Sequence, residues 1–80
     1  MKLKDVKIIK KFVVDADSRL ILGQHKTKKN YIVAVFSFEY VHGLKVQYPE
    51  PDMLYAGEDI DWADDVYNDH KKTLSDYMAG

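Results

Sequence analysis

The chain has 80 residues, of which 46% are apolar and 31% are charged, and its formal net charge is −1. This composition predicts one soluble globular domain, residues 1–80, and excludes a disordered chain, which would have too few apolar residues to form a core. The absence of cysteine excludes disulfides, thiolate nucleophiles and cysteine zinc sites. No stretch approaches the roughly 20 apolar residues of a membrane span. We therefore expect a cytoplasmic protein.

The first 23 residues contain two predicted strands. Residues 4–14 alternate apolar and charged side chains, and their lysines suit the edge of a sheet, where charge discourages pairing with other chains. The segment from Asp15 to Ser18 favours a turn, because Asp and Ser side chains bond nearby backbone groups. Residues 19–23 then predict a second strand, with Leu20 and Leu22 on the face opposite Ile21.

Residues 31–40 predict the central strand of the domain. One face carries Ile32, Ala34, Phe36, Phe38 and Tyr40. The other face carries Tyr31, Val33 and Val35 before it turns polar, so the first half should be buried on both faces. His42 and Gly43 predict a two-residue reversal, and residues 44–48 predict a fourth strand.

Two prolines, Pro49 and Pro51, end that strand, and residues 53–57 predict only a short turn toward the core. Asp59 is the predicted N-cap of a helix from Ile60 to about Met78. The apolar stripe of this helix comprises Ile60, Ala63, Val66, Tyr67, His70, Leu74, Tyr77 and Met78. The predicted fold class is α+β, a four-stranded antiparallel β-meander with one C-terminal amphipathic helix packed on one face.

A single helix covers only one face of a sheet. The strand pattern assigns Tyr31, Val33 and Val35 to the helix-free face, together with Ile9, Val13 and Ile21. A second copy of the sheet would cover these residues in a homodimer, with Tyr31, Val33 and Val35 at the self-association surface. The alternative is that a twisted small sheet covers them with its own loops. The sequence leaves both explanations open.

Charge is distributed unevenly along the chain. Residues 1–45 carry ten Lys and Arg side chains and four acidic ones, whereas residues 46–80 carry two and nine. No Lys or Arg occurs between Gln47 and His70. Such an asymmetry points to a charged partner or to self-association.

Within the acidic half, Asp61, Asp65 and Asp69 recur every four residues and form one row on the predicted helix. Like charges at this spacing destabilise a helix by about 0.2–0.5 kcal/mol per pair. The alternative explanation is a solvated face whose first-turn acids complement the helix dipole. That explanation accounts for Asp59 and Asp61 but not for Asp65 and Asp69.

We predict that this acidic surface binds a basic surface of a partner protein. Trp62 lies at the border of the apolar stripe, where it either covers the core or serves as a binding hot spot. The predicted partner-binding residues are Glu58, Asp61, Trp62, Asp64, Asp65 and Asp69. In this character alone, the chain resembles the nucleic-acid mimics with which phages and mobile elements block host defences. The function predicted is therefore that of a small inhibitor that occupies the nucleic-acid-binding surface of a host protein.

No pattern of catalytic or metal-binding residues is present in the sequence. His25, His42 and His70 are widely separated, and no Ser or acidic residue stands at a spacing known from nucleophilic catalysis. Residues 59–65 contain four aspartates but lack the spacing, central Gly and terminal Glu of an EF-hand. We therefore predict no enzyme activity, no cofactor and no metal site.

The alternative function is direct nucleic-acid binding by the basic half. Its candidate residues are the Lys-rich N-terminal strand, with lysines at 2, 4, 7, 10 and 11, and the polar loop from Lys26 to Asn30. Such lysines would supply salt-dependent, non-specific affinity for phosphates. The acids of the second half would repel nucleic acid, so this alternative ranks second.

Overall fold

The computed structural model describes the backbone of residues 2–79 and the side chains of residues 2–77. A short 3₁₀ helix, Leu3–Asp5, precedes the sheet. The strands are β1 (Val6–Asp15), β2 (Ser18–His25), β3 (Tyr31–Val41), β4 (Leu44–Gln47) and β5 (Asp52–Gly57), and the helix is α1 (Ile60–Ala79). Within residues 2–79, no helix is long and apolar enough to cross a membrane.

The sheet is antiparallel, with the order β1-β2-β3-β4 and with β5 paired to the first half of β3. The α+β prediction, a meander with one C-terminal helix on one face, is confirmed. The fifth strand was not predicted. Residues 53–57 are not a short turn, because the chain returns beside β3 after Pro51 and places Tyr55 opposite Val33.

The predicted reversal between β3 and β4 is present at His42 and Gly43. Their φ angles are 53° and 80°, so both residues occupy the left-handed region. This is the conformation that a two-residue type I′ hairpin turn requires at both central positions. Glycine adopts it without steric cost, which explains the choice of residue at position 43.

Helix α1 begins where the sequence predicted. The Asp59 carboxylate accepts hydrogen bonds from the backbone N–H groups of Asp61 and Trp62 at 3.0 and 3.1 Å, as an N-cap does. Ala63 and Tyr67 of the predicted stripe are buried against the sheet. Tyr77 is 85% exposed, so the packed part of the helix ends before its last turn. The side chain of Met78, also assigned to the stripe, lies outside the described residues.

Two apolar clusters lie on opposite faces of the sheet. The helix-side core consists of Leu20, Leu22, Val33, Ala63 and Tyr67, with Tyr31 and Val35 among the half-buried residues packed on it. The far-side core consists of Val6, Ile21, Ile32, Ala34 and Phe36. In each cluster, the residues of β2 and β3 lie on the same face of the sheet. Val6 of β1 completes the far-side core, and Ala63 and Tyr67 of α1 complete the helix-side core.

The assignment of Tyr31, Val33 and Val35 to the helix-free face is wrong. All three belong to the helix-side core, and Val33 is fully buried. Alternation along a strand shows which residues share a face, but the face that the helix covers depends on the register between strands. Leu22 pairs with Val33, and Ile21 pairs with Ala34. Val33 therefore faces the helix with Leu22, whereas Ile21 faces away from it.

The far-side core is enclosed by the chain itself. Leu3 and Phe38 pack against it, and the backbone N–H of Leu3 donates to Gln47 Oε1 at 3.0 Å, which joins the N-terminal turn to β4. Gly23 allows β1 to approach closely, because a Cβ there would overlap Val6 Cγ1. Of the two explanations that the sequence left open, the structure therefore favours self-covering. Homodimer formation stays a prediction, but Tyr31, Val33 and Val35 cannot form its interface because they belong to the helix-side core.

Candidate functional site

The outer side of helix α1 carries an acidic face, defined here as Asp61, Asp65 and Asp69. The three side chains are exposed and lie one turn apart. Among the described side chains, no Lys, Arg or His nitrogen lies within 4.0 Å of these carboxylates. The acidic face therefore carries three charges that no side chain in residues 2–77 pairs.

Asp64 differs from the acidic face because the chain compensates its charge. Lys10 Nζ lies 2.6 Å from Asp64 Oδ1, and the side-chain amide of Asn68 donates to Oδ2 at 3.2 Å. This pair could not be predicted from the sequence, because Lys10 and Asp64 are 54 positions apart. Asp64 fastens α1 to β1 and is less available to a partner than the acidic face.

Trp62 lies on the side of α1 nearest to β5. Its ring stacks on Tyr55, with ring centroids 6.1 Å apart and an interplanar angle of 21°. Trp62 nevertheless remains 62% exposed. The hydroxyl of Tyr55 also accepts a hydrogen bond from the backbone N–H of Asp59 at 3.3 Å. The stack fixes one ring face of Trp62 and leaves much of the side chain open to solvent.

Glu58 directly follows β5 and lies in a surface of mixed charge. It lines a shallow depression with Gln24, Lys29 and Tyr31. The structure therefore sets Glu58 beside the basic loop, whereas the acidic face and Trp62 share the exposed side of α1.

A groove that the sequence did not predict runs between β5 and α1. It is lined by Leu54, Val66, Asp69, His70 and Thr73, and we call it the β5–α1 groove. Its volume is about 310 Å³, and it is shallow and open to solvent rather than an enclosed cavity. The groove was not predicted from the sequence because it requires strand β5. The two prolines at 49 and 51 favoured a turn rather than a strand in the residues that follow them.

Tyr67 lies in the helix-side core, beneath the Lys10–Asp64 pair. Burial raises the pKa of Tyr67 above the ordinary 10.0, and the Asp64 charge adds to the rise while the Lys10 charge opposes it. Lys10 Nζ lies 5.9 Å from the centroid of the Tyr67 ring. The raised pKa keeps the phenol neutral at pH 7, and its ring packs in the helix-side core.

The basic residues of the first half also converge. Lys7 of β1 and Lys26, Lys28 and Lys29 of the β2–β3 loop line one depression, together with Gln24, His25 and Thr27. Backbone hydrogen bonds from His25 to Asn30 at 2.9 Å and from Lys26 to Asp5 at 3.0 Å hold the loop. This basic depression joins Lys7 of the N-terminal strand to the loop lysines, a proximity that the sequence could not show.

Within the part of the chain that the structure describes, no three His, Cys, Asp or Glu side chains are grouped so that they could hold a metal ion. Comparison of the chain with protein-family models, with curated proteins and with solved structures finds no match.

Proposed function

We propose that this chain is a non-enzymatic, cytoplasmic binding module whose acidic face, with Trp62 beside it, engages a basic surface of a partner protein. The observation that carries the proposal is the row of three exposed carboxylates without a cation partner among the described side chains. Trp62 is 62% exposed at the edge of this row.

Repulsion within the acidic face and the exposed Trp62 side chain both support binding of a partner. Each like-charge pair in the row destabilises the helix by about 0.2–0.5 kcal/mol, and a partner's cations would remove this repulsion. Trp62 adds a large amphipathic side chain of the type enriched at binding hot spots. Because Tyr55 already holds one face of the ring, little side-chain freedom would be lost on binding.

The partner class that best suits these features is a nucleic-acid-binding protein. One helix imitates a nucleic acid incompletely, since its carboxylates recur every ~6 Å of helix axis whereas a duplex presents a charge every ~1.7 Å. Asp59 would extend the acidic region at the start of α1, whereas Glu58 lies beside Lys29 in a surface of mixed charge. The module would then act as an inhibitor, of the kind that phages and mobile elements encode, by occupying the partner's basic groove.

Charge reversal tests this proposal. Replacing Asp61, Asp65 and Asp69 together by lysine should abolish pull-down of the partner from a lysate of the source cells, because attraction becomes repulsion. The wild-type pull-down should weaken as the salt concentration rises, since salt screens exposed charges. Circular dichroism should show an unchanged fold.

A matched control separates local from global charge. Asp17, Glu39 and Glu50 are exposed and lie outside the helix. Their triple replacement by lysine changes the net charge equally and should leave the pull-down intact. If the two triple variants bind alike, the acidic face is not the binding surface.

The basic depression supports a second candidate function, direct binding of nucleic acid. Its test is an electrophoretic mobility shift with labelled DNA and RNA at low salt, in which we expect no shift because the acids of the second half repel phosphates. A salt-sensitive shift that the triple variant Lys26→Glu, Lys28→Glu and Lys29→Glu abolishes would make this the leading function.

A further inference from the structure

Strand β5 has a free edge. Among the described residues it pairs with β3 alone, so no strand lies on its other side. The segment from Met53 to Gly57 contains no charged residue and no proline, and Met53 and Leu54 are 42% and 38% exposed. A free edge of this composition offers unpaired backbone groups to an incoming strand.

The other edges of the sheet also carry features that oppose such pairing. Strand β1 has three exposed lysines, Lys7, Lys10 and Lys11, and two irregularities in its register with β2. Strand β4 is only four residues long and contains Lys45. Strand β5 has its one charged residue, Asp52, at its start and one irregularity in its register, at Leu54, and its other five residues are uncharged. Its apolar edge is therefore the most open to strand addition.

The β5–α1 groove lies beside this edge and combines apolar and acidic groups. Leu54 and Val66 supply apolar surface, and Asp69 of the acidic face supplies a carboxylate. Long basic side chains bury an apolar stem and keep a charged head in contact with polar groups. Leu54 lines the groove, so its side chain lies on the helix side of the sheet, and a side chain that an added strand places beside it would lie within reach of the groove.

We propose that an extended basic segment of the partner adds to the free edge of β5 and inserts a Lys or Arg side chain into the β5–α1 groove against Asp69. This inference rests on the proposed function and specifies its recognition mode. It commits to a partner segment in which basic and apolar residues alternate. Asp69 becomes the selective member of the acidic face, whereas Asp61 contributes only general attraction.

The test uses the full chain, labelled with ¹⁵N, and a synthetic peptide of alternating lysine and valine with blocked ends. On binding, the amides of residues 52–57 should shift, and some of them should gain protection from hydrogen exchange as new ladder bonds form. Asp69→Asn should weaken the dissociation constant by about fivefold, the upper range for exposed ion pairs. Asp61→Asn, the matched control in the same row, should weaken it by less than about twofold.

A second peptide, with proline in place of the central valine, keeps the charge but cannot form a continuous ladder. Equal affinity for the two peptides, or shifts confined to α1, would overturn strand addition while leaving acidic-face binding intact. Absence of any binding also overturns strand addition, whereas the proposed function is judged by its own pull-down. Exchange protection of β5 that rises with protein concentration alone would instead identify a second copy as the occupant.

Discussion

Replacement of Val33 by glutamate is expected to unfold the domain. Val33 is fully buried in the helix-side core, where the described residues around it are apolar or aromatic. An unpaired charge in such a place costs several kcal/mol even after the surroundings relax. A small domain has only a few kcal/mol of net stability, roughly 3–5. Far-ultraviolet circular dichroism at 25 °C should therefore show loss of the native spectrum.

Val46→Glu is the matched control for Val33→Glu. Val46 lies on β4 and is 41% exposed, so the same change of residue there should leave the domain folded, with a change in stability within about 0.5 kcal/mol. The pair of variants also tests the face assignment. A folded, monomeric Val33→Glu protein would mean that Val33 belongs to an association surface rather than to the core.

Phe36→Ala is expected to destabilise the domain by about 3–5 kcal/mol, the range for a fully buried Phe. Phe36 is fully buried in the far-side core, on the face of the sheet opposite helix α1. The loss is comparable to the whole stability of a domain of this size, so the variant should be largely unfolded near 37 °C. Urea titration followed by circular dichroism measures the effect.

Tyr40→Ala provides the comparison within the same strand and on the same face. Tyr40 is 66% exposed, so its truncation should cost less than about 1 kcal/mol. The difference between the two variants measures how far Leu3, Phe38 and the end of β4 enclose the far-side core. Equal, small losses would show that this face is open in solution and needs a second copy to cover it.

The two halves of the chain carry opposite charge, yet few ion pairs join them within residues 2–77. Among the described side chains, Lys10 and Asp64 form the one ion pair between them. Exposed pairs of this kind add only about 0–1 kcal/mol to stability. Folding is therefore driven by the two apolar cores, and most of the surface charge remains available for binding.

The sequence by itself determined the local structure of this protein. Alternation along residues 19–23 and 31–40 identified β2 and β3, and Asp59 marked the start of α1, because these signals depend only on neighbouring residues. The reversal at His42 and Gly43 was predictable for the same reason. The row of Asp61, Asp65 and Asp69 followed from helical periodicity alone.

Only the tertiary structure decided which surfaces are buried and which are free. The register of β2 against β3 brought Val33 under the helix, and the contact between Leu3 and Gln47 closed the opposite face. The pairing of β5 with β3 created the β5–α1 groove, and Lys10 neutralised Asp64 across 54 positions of sequence. These features join residues that are distant in the chain, and their positions follow from burying both apolar faces at once rather than from any local pattern.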